Sequence, residues 1–243
     1  YGFKDIKFKT GVLDPENPRY HCARSFNIFA DKTICHDIII DHCSVSGTGD
    51  GALDINQGSN IVVSRNIFAN CTEVHKAHGT YVSAHHNLYT WNNRRQPRIF
   101  EGGPYWDFRN NIMEYWTNTG TNCILSDAIN IVNNWYGDPA PGASCNSGFW
   151  SINDCTNVYT AGNYSNCGQN IDAMGNRGTP NTEPGVTTTD AQTAYNSVLA
   201  DCGAQPNDAI DQYYINGGGT NPPSVGSCGG GASSGGGGGG GEG

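Results

Sequence analysis

Charged side chains that could act on an acidic ligand recur at a fixed spacing in the first hundred residues. Asp54 precedes Lys76 by 22 residues, and Lys76 precedes Arg98 by 22 residues. Asp50 lies four residues before Asp54, so the strand period of two directs both carboxylates to the same side. Carboxylate oxygens suit Ca²⁺, whereas lysine and arginine bind the carboxylates of a ligand. If the chain repeats every 22 residues, these side chains form one patch that can bind a metal and an anionic chain together.

The segment at residues 84–98, AHHNLYTWNNRRQPR, concentrates positive charge in a chain that is otherwise acidic. It contains three arginines, whereas the whole chain of 243 residues has 13 Lys and Arg against 22 Asp and Glu, with a formal net charge of −9. This balance argues against a nucleic-acid partner or an anionic membrane surface, because both require a basic field. Adjacent histidines in a regular strand point to opposite faces, so we do not expect His85 and His86 to hold one ion. A polyanionic partner therefore requires a local basic cleft or a bridging metal.

Short apolar strands followed by a polar turn recur along the chain. The turn position is cysteine once and asparagine five times: Cys43, Asn66, Asn87, Asn111, Asn134 and Asn163. The successive spacings are 23, 21, 24, 23 and 29 residues. A strand-rich unit of about this length is too short for a propeller blade and lacks the pattern of leucine-rich repeats. The repeat predicts an all-β protein, a parallel β-helix in which the asparagine amides stack from coil to coil and have a structural role.

The repeat ends after Val186, and two different segments follow. Residues 189–204 carry apolar side chains at helical spacing behind a helix-capping residue, Asp190, which predicts one closing helix. From Gly217 onward the chain is glycine-rich and of low complexity. We therefore predict a β-helix domain over residues 1–216 and a flexible tail or linker over residues 217–243.

Cysteine usage and two sequence triplets indicate an extracellular compartment. The chain has ten cysteines, an even number, without a Cys-x-x-Cys pair, which disfavours zinc ribbons and redox motifs. Triplets at Asn70 and Asn163 match the N-glycosylation pattern. No apolar run approaches the ~20 residues of a membrane-spanning helix. We predict a disulfide-bonded, secreted glycoprotein without a membrane span, either mature or a piece of a longer chain.

Three stretches resemble the pectate lyases of polysaccharide lyase family 1. They are IIIDHCSVSGTGDGALDI at residues 38–55, YVSAHHNLYTWNNRRQPR at residues 81–98 and FRNNIMEYW at residues 108–116. Several motifs of the family thus occur in the right order and at the right spacing, over roughly residues 3–135. The resemblance implies a right-handed parallel β-helix, in agreement with the repeat.

The resemblance also implies a reaction and a set of site residues. The reaction is Ca²⁺-dependent β-elimination on a chain of the polygalacturonate type, with calcium bridging enzyme and substrate carboxylates. Asp50 and Asp54 match the calcium ligands, and Arg95 of the Arg-x-Pro motif matches the base that removes the proton at C5 of the sugar. We expect three further residues to bind the substrate: Lys76, His78 and Arg98.

Other signature positions match structural residues of the family or depart from its pattern. Asp41, His42 and His86 match positions that are largely structural, and we expect the same role here. A family aspartate falls near residues 24–26, where this sequence has no acid, and a second arginine falls on Phe100. The chain has fewer N-terminal coils than is usual, so we expect another domain or chain to cover the open first coil.

Two functions from different classes fit these residues. The first is a secreted lyase that cleaves a pectate-like acidic polysaccharide, favoured by the presence of the calcium, lysine and arginine positions. The second is a catalytically inactive β-helix with a structural or carbohydrate-binding role outside the cell, favoured by the missing aspartate and by Phe100. A hydrolase on the same fold requires a cluster of acids, for which only Asp50 and Asp54 qualify.

Overall fold

The fold is a parallel β-solenoid, as the repeat predicts. The computed structural model describes residues 2–4, 7–9, 26–28, 35–49, 51–100, 105–150, 155–175, 178–180 and 186–219. In these residues, strands form three parallel sheets of seven, seven and six strands. Neighbouring strands in a sheet are separated by one coil of the chain, so each coil contributes one strand to each sheet. Residues one repeat apart are therefore stacked side by side.

The strands are assigned to the sheets as follows. The first sheet contains β1 (Gly2–Lys4), β4 (His36–Asp41), β7 (Ser59–Ser64), β10 (Thr80–His85), β13 (Trp106–Arg109), β16 (Asp127–Val132) and β19 (Thr156–Ala161). The second contains β2 (Lys7–Lys9), β5 (Ser44–Ser46), β8 (Ile67–Ala69), β11 (Leu88–Thr90), β14 (Ile112–Glu114), β17 (Trp135–Tyr136) and β20 (Tyr164–Ser165). The third contains β3 (Phe26–Ile28), β6 (Leu53–Ile55), β9 (His75–Ala77), β12 (Arg98–Phe100), β15 (Thr121–Ile124) and β18 (Phe149–Trp150).

The core of the solenoid is built from columns of apolar side chains. In the first sheet, one inward column is formed by Ile38, Ile61, Val82, Trp106, Ile129 and Val158, paired strand to strand. All of these residues are buried. The alternation of side chains in each strand places the intervening residues on the outer face. The apolar spacing in the sequence thus fixes which side chains are available for binding.

The asparagine ladder that the sequence predicts is present at the bend between the first and second sheets. The Oδ1 atom of each asparagine accepts hydrogen bonds from the backbone N–H and, along the asparagine run, from the amide nitrogen of the residue one coil before it. The residue that precedes each ladder position has a positive φ, which turns the chain: His42, Arg65, His86, Asn110, Asn133 and Gly162. The ladder ends where Asn163 Nδ2 donates to Asp172 Oδ1 at 2.7 Å. The predicted structural role of these asparagines is confirmed.

The closing helix is shorter than the sequence predicts. Helix α2 (Ala191–Ala200) begins behind Asp190, whose carboxylate accepts from the Thr193 N–H at 2.9 Å. It ends before residue 204 because Asp201 leaves the helical region and Gly203 adopts φ +81° against the Ser44 and Ile67 side chains. Two further helices, α1 (Ile171–Gly175) and α3 (Ala209–Ile215), were not predicted. The predicted tail lies almost wholly outside the described residues.

Two disulfides lie among the described residues, Cys123–Cys155 and Cys145–Cys167. Cys71 and Cys202 are buried thiols that form no disulfide within this part of the chain. The even cysteine count therefore overstates the disulfide framework, because a buried cysteine also packs as a small apolar side chain. None of the described helices is long and apolar enough to cross a membrane.

Asp41, His42 and His86 lie at the bend between the first and second sheets, whereas Asp54, Lys76 and Arg98 lie in strands of the third sheet. His42 Nδ1 lies 2.7 Å from Asp41 Oδ2, and its Nε2 lies 3.3 Å from Asp201 Oδ1. Arg65 also pairs with Asp201 at 2.9 Å. These contacts attach the end of α2 to the bend of the solenoid.

Candidate functional site

The charged residues with the 22-residue spacing lie in one column on the third sheet. Asp54 of β6 pairs in register with Lys76 of β9, and Lys76 pairs with Arg98 of β12. The column continues to Asn27 of β3 on one side and to Asn122 of β15 on the other. The residues beside them in these strands are buried in the core: Leu53, Ile55, His75, Ala77 and Ile99. The spacing argument therefore placed these side chains correctly, on adjacent coils and on the outer face.

Asp54 is the predicted calcium ligand that the structure describes, and its carboxylate is closely packed. The residue is only 3% exposed, and Oδ1 accepts from the Lys76 N–H at 3.3 Å. Gly51, with φ +51°, lies so close that a Cβ there would be 2.6 Å from Asp54 Oδ2. The second predicted ligand, Asp50, lies outside the described residues. Among the residues that are described, no group of three or more His, Cys, Asp or Glu side chains is placed to hold a metal. Asp54 alone does not complete the oxygen shell of calcium.

The three predicted substrate-binding residues converge on the ring of Phe100. The Arg98 guanidinium carbon lies 4.6 Å from the ring centroid and Lys76 Nζ lies 5.9 Å from it. The His78 ring packs edge-on at 5.0 Å. A cation over an aromatic face is attracted by the ring quadrupole. Phe100, a departure from the family pattern, therefore positions two cations on this face.

Arg95 and Arg94 share a carboxylate that the sequence reasoning missed. Arg95 Nη1 lies 2.5 Å from Glu73 Oε2, and Arg94 Nη2 lies 2.5 Å from Glu73 Oε1. Glu73 is only 8% exposed, so these ion pairs are shielded from water on the carboxylate side. Glu73 precedes Arg95 by 22 residues, so the period that aligned Asp54 with Lys76 could have found it. An ion pair with a carboxylate favours the charged guanidinium, which opposes the role of base that the resemblance implies for Arg95.

A cleft of about 660 Å³ opens beside this column on the third sheet. It spans three consecutive coils and is lined by Arg94, Arg95, Arg98, Asn118, Thr119, Asn122, Ile124, Ser144, Asn146 and Ser147. The described lining thus contains three arginines and no acid, in a chain that is acidic overall. Such a cleft attracts an anionic ligand.

The far wall of the cleft is a fixed loop. A 3₁₀ turn, Cys145–Ser147, is tied to the rest of the chain by the Cys145–Cys167 disulfide. The indole N–H of Trp116 donates to Ser144 O at 3.2 Å and to Ser147 Oγ at 3.1 Å. The cleft is therefore bounded by covalent and hydrogen-bonded structure on that side.

Two histidines, His75 on the third sheet and His85 on the first, have lowered pKa values. His75 is fully buried with its ring 5.8 Å from Trp106, and this burial lowers its pKa to about 3. Burial, with the charge of the neighbouring His86 adding to it, lowers the pKa of His85 to about 4. The Nδ1 atoms of His85 and His86 lie 3.1 Å apart, so the expectation that the rings point to opposite faces was wrong. The reason is the positive φ of His86, which takes it out of the strand geometry.

Comparison with known proteins gives a match at the level of structure. No protein-family model and no curated protein sequence matches the chain. A pectate lyase bound to a hexasaccharide superposes with a TM-score of 0.54 and 19% identity, over 69% of this chain and 51% of the other. A thermostable pectate lyase gives 0.53 and 19%, over 76% and 55%. A pectate lyase from Bacillus sp. N165 in complex with trigalacturonate gives 0.51 and 22%, over 70% and 60%.

These matches agree with the arrangement of the three sheets. The chain spans about half to three fifths of the length of these solved pectate lyases. At 19–22% identity the likeness concerns the fold. The fold of this chain is a parallel β-helix similar to that of the solved pectate lyases.

Proposed function

We propose that this protein binds an acidic polysaccharide of the polygalacturonate type in the arginine-lined cleft and cleaves it by β-elimination. The observation that carries the proposal is the convergence of Arg94, Arg95 and Arg98 on one cleft of a chain with net charge −9. Structurally similar pectate lyases have been solved with a hexasaccharide and with trigalacturonate. A uronate chain supplies one carboxylate per sugar, which matches the cations of this face.

The chain's own residues have distinct roles in this proposal. Arg98 and Lys76, positioned by Phe100, bind and orient a uronate carboxylate. A base removes the proton at C5, the electron pair forms the C4–C5 double bond, and the glycosidic bond at C4 breaks with its oxygen taking a proton. Arg95 is the proposed base, and it can accept the C5 proton only as the neutral guanidine, so its ion pair with Glu73 must open and the guanidinium must first give a proton to hydroxide under alkaline conditions. Proton removal therefore requires a conformational step at Glu73.

Calcium is part of the same proposal, with Asp54 and Asp50 as its protein ligands. When bound, it would withdraw charge from the uronate carboxylate and make the proton at C5 easier to remove. Asp54 contributes oxygen donors suited to this ion.

We also propose that the protein acts outside the cell. The two disulfides support this location, since such bonds persist in oxidising compartments. Of the two sequons, Asn163 uses its amide nitrogen to donate to Ile131 O at 2.8 Å and to Asp172 Oδ1. A glycan at Asn163 would replace one of the two Nδ2 hydrogens and remove at least one of these hydrogen bonds, so of the two sequons we expect a glycan only at Asn70.

A second function, binding without cleavage, is favoured by the Glu73–Arg95 ion pair. In this alternative Arg95 remains a cation and contributes only to affinity. It accounts for the cleft as well as the first proposal does. The two proposals differ in one respect, which is the formation of an unsaturated product.

The test measures the absorbance of unsaturated uronate products from polygalacturonate at alkaline pH, with calcium or with a chelator. We expect product with calcium, loss of product in the chelator, and loss of product in Arg95→Ala. Arg65→Ala, which changes an arginine at the bend of the solenoid, is the matched control and should retain activity. Binding without product in the wild-type protein would overturn the elimination and support the second function.

A further inference from the structure

Among the described residues that line it, the cleft carries charge at one end only. All three of its arginines come from the chain of a single coil, in and just before β12. The next two coils, those of β15 and β18, contribute Asn118, Thr119, Asn122, Ile124, Ser144, Asn146 and Ser147. None of these side chains carries a charge. The register column on this face changes in the same direction, from Lys76 and Arg98 to Asn122.

The spacing between coils shows how the change from charged to uncharged side chains along the cleft would affect a bound sugar chain. Adjacent coils of a parallel solenoid lie ~4.8 Å apart, which is close to the length of one pyranose unit. A polysaccharide lying along the column therefore meets about one coil with each sugar. A uronate at the Arg98 coil faces a cation, whereas the sugar at the Asn122 coil faces an amide.

Asn122 has a buried side-chain acceptor that lacks a hydrogen-bond donor among the described residues. The residue is only 6% exposed and lines the cleft. Its Oδ1 atom is buried and has no hydrogen-bond partner among the described residues. A buried acceptor without a donor destabilises the free protein, and a ligand hydroxyl that donates to it removes this penalty. An ionised carboxylate cannot make this hydrogen bond to Oδ1, because it has no proton to donate.

The surrounding wall is suited to an uncharged sugar as well. Ser144 and Ser147 lie in the loop that the Cys145–Cys167 disulfide and Trp116 hold in place. Hydroxyl and amide groups on a fixed wall match the hydroxyl groups of a neutral sugar without requiring charge. The wall is therefore preorganised, which lowers the free-energy cost of binding.

We infer that the Asn122 end of the cleft is a subsite for an uncharged sugar unit, with Asn122 Oδ1 accepting a hydrogen bond from a sugar hydroxyl. The ligand is then a polysaccharide in which a uronate block adjoins uncharged sugar units, rather than an unbroken polyuronate. This inference rests on the proposed function, because it assumes that the cleft binds an acidic polysaccharide. It adds the requirement that charge is recognised at one end only.

The test uses three ligands of equal length. They are tetragalacturonate and two derivatives in which the unit at one end or at the other has been reduced from the acid to the neutral sugar. Dissociation constants are measured by titration at neutral pH, and the ligand is checked for cleavage afterwards. For the wild-type protein we expect one reduced derivative to bind at least as tightly as tetragalacturonate. The other derivative should bind at least ~10-fold more weakly, since it loses a charged hydrogen bond at the arginine end.

A substitution at Asn122 tests whether the preference for a neutral sugar at one end of the ligand arises at this residue. Asn122→Lys should tighten the binding of tetragalacturonate ~10-fold, without tightening the binding of the derivative that is neutral at that end. Gln192→Lys adds the same charge on the exposed face of α2, which packs on the second sheet, and should change neither constant.

The outcomes distinguish the inference from the proposed function. If both reduced derivatives bind equally weakly, charge is recognised at both ends and the inference is wrong, while the proposed function stands. An Asn122→Lys protein that gains no preference for the all-acid ligand contradicts the subsite as well. If no ligand binds the wild-type protein, the proposed function fails and the inference fails with it.

Discussion

The buried asparagine ladder allows a sharp prediction about the stability of the scaffold that carries the site. The Asn87 side chain makes four hydrogen bonds: Oδ1 accepts from Asn66 N–H and Asn66 Nδ2, and Nδ2 donates to Val63 O and Asn111 Oδ1. Asn87 is fully buried, so water cannot replace these contacts in the native fold. Asn87→Ala therefore removes four bonds and leaves the groups that made them without partners.

The magnitude follows from the number of contacts. A net contribution of about 1 kcal/mol per hydrogen bond, with a further penalty for buried groups left unpaired, gives a loss of roughly 4–6 kcal/mol in the free energy of unfolding. The assay is urea denaturation followed by tryptophan fluorescence, compared at equal m-values.

Asn163→Ala provides a matched control. Asn163 also makes four side-chain hydrogen bonds, but it is half-buried at the end of the ladder. Water can replace part of what is lost there, so we expect a loss of about 1–2 kcal/mol. Equal losses in the two variants, or a loss below ~1 kcal/mol for Asn87→Ala, would refute the reasoning from burial.

Three further predictions concern the charged groups. Burial, with the charge of Asp138 adding to it, raises the pKa of Glu114 from 4.5 to about 7. The protonated carboxyl costs the native fold little below pH 4.5, and the free energy of unfolding falls as the pH rises through 7 and the buried carboxyl ionises. Glu114→Gln should therefore stabilise the protein at pH 8 by up to about 3 kcal/mol relative to wild type and have little effect at pH 4, as urea denaturation at both values will show. Glu73→Gln releases Arg94 and Arg95 from their shared carboxylate, and should tighten binding of tetragalacturonate several-fold with a steeper dependence on salt; weaker binding by titration calorimetry would contradict this. Gly51→Ala places a Cβ against Asp54 at positive φ and should lower the melting temperature and weaken calcium binding, whereas unchanged values of both would contradict the close packing.

The sequence was sufficient to predict the scaffold because its signals are local and repeated. Asparagine at a near-constant spacing marks the bend, and the apolar alternation marks the inner face. Because the same two signals recur in successive coils, each occurrence strengthens the prediction. The same period placed Asp54, Lys76 and Arg98 in one column. A period-based argument works here because every coil stacks directly on its neighbour.

Features that depend on side-chain conformation, or on local departures from the strand and helix geometry of the repeat, were not predicted. Glu73 lies one period from Arg95, but its ion pair depends on side-chain conformation as well as on register. His86 leaves the strand at positive φ, which reversed the expected direction of its ring. The early end of α2 depends on Gly203 packing against a distant strand. The uncharged end of the cleft is formed by loops from two later coils that carry no motif.

The measurement that tests the central claim most directly is the affinity for an oligogalacturonate at low and at physiological salt, for the wild-type protein and two arginine variants. Arg98→Gln removes a cation from the cleft, whereas Arg65→Gln removes one at the bend between the first and second sheets. We predict that Arg98→Gln weakens binding by about 10- to 100-fold, as expected for the loss of a charged hydrogen bond, and that Arg65→Gln leaves it unchanged. Equal affinities in all three proteins would contradict the assignment of this cleft as the binding site for an acidic polysaccharide.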